Sequence, residues 1–166
     1  MLERLDLSET GGRVSESADW PTRTIESTDL AGLKGCTKLR ELNLSGHRFA
    51  DLDFLQTLKN MGTLSLKGCS TIQDLEALAH MRVLETLDLS GCENLQSLRG
   101  VSNLVSLKNL TLSSCHSLED AQPLQQAPQL QSLELSFCTS LKDLTFLPHL
   151  TGLQSLSLRQ CAVIED

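Results

Sequence analysis

The stretch Leu84-Glu85-Thr86-Leu87-Asp88-Leu89-Ser90-Gly91-Cys92-Glu93-Asn94-Leu95 decides the fold. Its leucines stand at i, i+3 and i+5, a cysteine follows three residues later, and Leu95 three residues after that. The same wording recurs on both sides. The last leucines of the LxL pairs are Leu7, Leu44, Leu66, Leu89, Leu112, Leu135 and Leu158, at steps of 37, 22, 23, 23, 23 and 23. A fixed period of this length is what a stack of like units leaves in a sequence.

In each unit LxL reads as a short strand. Side chains alternate across a strand, so both leucines turn inward and the residue between them turns out. Stacked units pair these strands in parallel and predict a sheet about seven strands wide, at about 4.8 Å per strand, on a right-handed path. The rest of each unit carries the chain back to the next strand. Asp74-Leu75-Glu76-Ala77-Leu78 and Asp143-Leu144-Thr145-Phe146-Leu147 read as single helical turns with the acid as N-cap. Gln122-Pro123 puts a proline where a first turn tolerates it. Segments this short predict 3₁₀ or short α turns. The fold class is therefore α/β: a concave parallel sheet with a convex side of short turns.

Composition agrees. Aromatic residues make up 3% of the chain and tyrosine is absent. A core built almost wholly of leucine suits identical layers better than irregular space, which aromatic bulk normally fills. The formal charge of −7 argues against a nucleic-acid ligand or an anionic membrane surface. No apolar run reaches the length of a membrane span, so membrane insertion is not expected. The opening residues lack the basic-then-apolar order of a secretory signal.

The pattern LxxLxLxxC-xx-I/L-x-D-x-x-x-L resembles the leucine-rich repeat and covers the chain apart from one interruption. Its period and its aspartate are similar to those of the phosphatase-regulator and internalin class, with cysteine where that class usually has asparagine. The LDLSGC wording resembles trypanosomatid leucine-rich repeat proteins, including adenylate-cyclase regulators, and also plant immune receptors. The resemblance implies that the concave sheet is a binding surface and that cysteine takes asparagine's structural place.

Cys69, Cys92, Cys115, Cys138 and Cys161 form the recurring column, and His47 holds that position one unit earlier. Zinc needs four convergent ligands, and no CxxC pair occurs, so no metal is expected. Stacked one strand apart, the thiols are also spaced beyond the roughly 3.5–4.5 Å that a disulfide requires between Cβ atoms. The reading that remains is a structural ladder of small buried residues whose S–H groups serve the backbone at the turn. Unpaired thiols point to a reducing compartment, the cytoplasm, with the nucleus as the alternative. His47, His80, His116 and His149 fall at different repeat positions, and no GxSxG or phosphate-cradling glycine loop occurs. Neither catalysis nor a cofactor is expected.

The outward face of the sheet is where binding is expected. One column reads Arg4, Glu41, Thr63, Thr86, Asn109, Ser132, Ser155; the next Asp6, Asn43, Ser65, Asp88, Thr111, Glu134, Ser157. A third reads Ser8, Ser45, Lys67, Ser90, Ser113, Ser136, Arg159, and beyond it lie Gly46, Gly68, Gly91, Ser114, Phe137, Gln160. Candidate partner contacts are Glu41, Asn43, Lys67, Asp88, Thr111, Glu134, Phe137 and Arg159. Phe137 is the apolar anchor, and the charges set register.

The interruption, residues 9–28, falls inside the first unit and accounts for the step of 37. It carries the single tryptophan, Trp20, as a competing contact or a cap over the first layer. Neither end shows an amphipathic cap, which leaves end-to-end self-association open. We read residues 1–166 as one leucine-rich repeat domain, part of a longer protein, whose work is protein–protein interaction as a scaffold or regulatory domain. Alternatives are a purely structural spacer, for example in the cytoskeleton, and the substrate-recognition part of a ubiquitin ligase.

Overall fold

The computed structural model describes residues 2–8, 29–49 and 51–161. Trp20, the 9–28 insertion, Ile164 and Asp166 lie outside the described residues. The seven strands are Arg4–Asp6 (β1), Glu41–Asn43 (β2), Thr63–Ser65 (β3), Thr86–Asp88 (β4), Asn109–Thr111 (β5), Ser132–Glu134 (β6) and Ser155–Ser157 (β7). They form one parallel sheet in chain order. Each strand is three residues long because only that much of each unit is straight before the chain must turn.

Register follows the repeat without slippage. Leu5, Leu42, Leu64, Leu87, Leu110, Leu133 and Leu156 lie side by side across the sheet. A slip by one residue would turn this row to water, so burial of one face fixes the register. Leu42, Leu64, Leu87, Leu110 and Leu133 are all buried, as are Leu44, Leu66, Leu89, Leu112 and Leu135 after the strands. Leu156, in the last described strand, is 40% exposed.

The chain returns through 3₁₀ turns at Asp29–Gly35, Asp53–Thr57, Glu76–Leu78, Val101–Asn103, Gln122–Gln126 and Leu147–His149. The proline at Gln122-Pro123 sits at the start of its turn, as expected. The aspartates do not occupy the N-cap, however. Leu75 and Phe146 do, without a side-chain cap. Asp74 Oδ1 instead accepts the Glu76 amide at 3.0 Å, and Asp143 Oδ1 the Thr145 amide at 2.8 Å. Asp51 and Asp120 repeat the bond with Asp53 and Gln122. This i to i+2 bond is an Asx turn, which bends the chain before the helical turn opens rather than capping it. A second, shorter parallel ladder runs along this flank: Gln96 and Ser97 donate to the Gln73 carbonyl, and Glu119 and Asp120 to that of Gln96. Ser97 and Asp120 form its one isolated bridge.

Candidate partner-binding face

The cysteine column binds layer to layer. Sγ of Cys69, Cys92, Cys115 and Cys138 each lies 3.2 Å from the carbonyl oxygen of Leu44, Leu66, Leu89 and Leu112, and Cys161 lies 3.0 Å from that of Leu135. Each acceptor is the strand-end leucine one layer back. The backbone turns out of the strand there, so the carbonyls of Leu66, Leu89, Leu112 and Leu135 accept the amide three residues on in their own layer and take the next layer's thiol as a second donor. Burial pushes the thiols up, Cys69 to about 11 and Cys115 and Cys138 to about 12. Burial raises Cys92 as well, with a further push from its neighbours Cys115 and Cys69. These thiols are neutral and inert. All six cysteines are free, with Cys36 and Cys161 half-buried.

His47 is more than a turn residue. It is buried, with Nε2 2.6 Å from the Leu7 carbonyl oxygen, and so takes the cysteine's part at the first step of the ladder. Its position in the column was the signal.

On the open face the register places the candidate contacts as the columns predict. Asn43, Asp88, Thr111 and Glu134 share one column, separated by whole layers. Lys67 and Arg159 are exposed beside it. Glu41 is not free: Arg4 Nε lies 2.7 Å from its carboxylate. Asn43 is also engaged, because Oδ1 accepts from the Ser45 amide at 3.1 Å and hydroxyl at 2.6 Å.

Serines two residues on hold the acids in place. Ser90 donates to Asp88 Oδ1 from its amide at 2.9 Å and its hydroxyl at 2.6 Å. The Ser136 amide donates to Glu134 Oε1 at 2.8 Å, and the Ser136 and Ser157 hydroxyls lie 2.8 Å apart. Partial burial alone would raise the Glu134 carboxyl. The hydroxyl and amide of Ser136, the Ser157 hydroxyl and nearby Arg159 outweigh it and hold the group below its usual range. Asp6 is lowered first by the Ser8 amide and then by its hydroxyl. Ser136, placed on the outward face by the repeat, is in fact buried.

The fourth column has a backbone signature. Gly46, Gly68 and Gly91 have φ of 88°, 71° and 71°, and Ser114, Phe137 and Gln160 follow at 62°, 65° and 53°. Each of these six layers turns here through the left-handed region, which glycine enters without cost and a bulky side chain does not. Phe137 takes it and is 43% exposed. His116, which no repeat pattern singled out, places Nδ1 3.0 Å from the Phe137 carbonyl oxygen. Among the described residues no group of three or more His, Cys, Asp or Glu side chains is placed to hold a metal.

Residues 44–165 match six copies of the BspA type leucine rich repeat region. None of the curated proteins matches the sequence. Among solved structures, the leucine-rich repeat domain of the type III effector XCV3220 (XopL) is similar with a TM-score of 0.65 and 22% identity, over 75% of this chain and 43% of that one. An internalin (InlF) from Listeria monocytogenes follows at 0.57 and 24%, over 78% of this chain and 44% of the other. The functional domain of InlJ from the same organism, described as including a cysteine ladder, gives 0.59 and 25%, over 75% and 26%. The chain thus spans less than half the length of each. The match over 44–165, on a sheet of seven parallel strands with 3₁₀ returns, shows that this chain belongs to the leucine-rich repeat family, of the BspA type.

Proposed function

We propose that the open face of the sheet binds a protein partner and that the chain serves as an interaction module, a scaffold or regulatory part of a larger protein. The fold commonly serves this role, and solenoids offer such faces for it. The observation that carries the reading is Phe137. Its exposed ring stands in a backbone conformation that disfavours it, on a face where serines order the acids. Strained, exposed residues of this kind persist where something other than folding selects them.

The experiment is affinity capture on immobilised chain, with two variants as comparison. Thr111→Arg places a bulky cation at the middle of the open face; Gln125→Arg does the same on an exposed 3₁₀ turn. Captured proteins should be lost with Thr111→Arg and kept with Gln125→Arg. Equal capture by both would leave the chain as a spacer.

A further inference from the structure

The face as a whole is small and polar, but one corner of it is not. The Phe137 amide donates to the Arg159 carbonyl at 2.8 Å, as the Gly91 amide donates to that of Ser113 at 2.7 Å. The backbone does the same work in both layers, so the ring adds nothing to the ladder. Phe137 is 43% exposed, and the left-handed backbone costs more with it than with glycine.

The strained peptide is also braced. The Phe137 carbonyl accepts from the Thr139 amide at 3.0 Å and from His116 Nδ1, one layer back, at 3.0 Å. Glu93 and Thr139 hold the position of His116 in adjacent layers, and neither side chain makes such a bond among the described residues. The brace occurs where the phenylalanine is.

Glu134 stands three residues before Phe137, within about 10 Å of chain. Its carboxylate is ordered by Ser136, and Arg159 favours its charge without pairing to it within 4.0 Å among the described residues. Glu41 and Glu85 differ: Arg4 and Lys108 neutralise them at 2.7 and 2.9 Å. Glu134 is therefore an ordered anion with lone pairs to spare, three residues along the chain from an exposed phenylalanine, on a chain of charge −7 that draws cations.

Building on the proposed binding face, we propose that Phe137 and Glu134, with His116 as the positioning residue, receive a partner segment in which a large apolar side chain adjoins a lysine or arginine. The apolar side chain packs on the ring, the cation meets the carboxylate, and the His116 brace keeps the ring from relaxing away.

The test is a random peptide library displayed on phage and panned against the 166-residue chain. Enriched peptides should share a lysine or arginine beside a large apolar residue. Each should bind about tenfold more weakly to Phe137→Gly and to Glu134→Gln, and more weakly to His116→Ala, in variants whose unfolding midpoints are not lowered. No enrichment, acidic peptides, or peptides indifferent to these variants would overturn the proposal. Peptides indifferent to them but lost with Thr111→Arg would overturn it while leaving the wider binding face standing.

Discussion

Nε2 of His47 lies 2.6 Å from the carbonyl oxygen of Leu7, and through that contact an imidazole does the work of a thiol. The ring packs on Phe49 at 5.7 Å, and Phe49 on Phe54 at 5.2 Å. Since a carbonyl only accepts, Nε2 carries the hydrogen, and Nδ1 is left buried without a partner among the described residues. The first step of the ladder is thus filled by a larger side chain and supported by two aromatic rings. His47→Ala removes the donor and opens a cavity, which together should lower the unfolding free energy by about 2–3 kcal/mol. Urea unfolding measures it; an unchanged midpoint would mean that the histidine holds nothing.

The inward and outward columns separate cleanly in a second pair of variants. Leu87 is fully buried, whereas Thr86 is half-buried and accepts a 3.3 Å bond from Asn109 Nδ2. Leu87→Ala should cost about 2–5 kcal/mol and Thr86→Ala no more than about 1. Similar losses for the two would contradict the register.

Phe137→Gly should move stability and binding in opposite directions. Glycine relieves the left-handed turn at φ 65°, a gain of about 1 kcal/mol. The ring takes its partner contact with it. A variant that is less stable than the parent would show that the ring contributes to packing after all.

The ladder predicts an alkaline limb. Burial raises Cys69 to about 11 and Cys115 and Cys138 to about 12, all from 9.0. As pH climbs, the unfolded chain loses these protons first, so stability is full below about pH 9 and falls from there through about 12. Cys115→Ser removes one such thiol and should make the fall shallower, as read by urea midpoints across that range. Ellman's reagent at pH 8 should leave Cys69, Cys92, Cys115 and Cys138 unmodified until denaturant is added.

The sequence by itself determined the layers. A leucine period of 23 residues can bury its apolar face only by stacking, and stacking sets strand order, parallel pairing and register together. The cysteine column was equally legible, because a residue at a fixed offset in identical layers must sit in a line. What the pattern could not show is what each residue does once in line. Asp74 and Asp143 form Asx turns where their spacing predicts N-caps, because a shift of one to three residues between turn and helix leaves no trace in spacing.

Only the tertiary structure decided the rest, because it depends on contacts between layers and on backbone angles. Glu41 and Glu134 look alike in the sequence. Arg4 from the neighbouring layer neutralises one, while Ser136 merely orders the other. His116 has no motif of its own and acquires a role by meeting the Phe137 carbonyl. Phe137 itself stands in a column headed by three glycines. The substitution was visible in the sequence, but that the column turns left-handed, making phenylalanine costly there, is a property of the folded backbone alone.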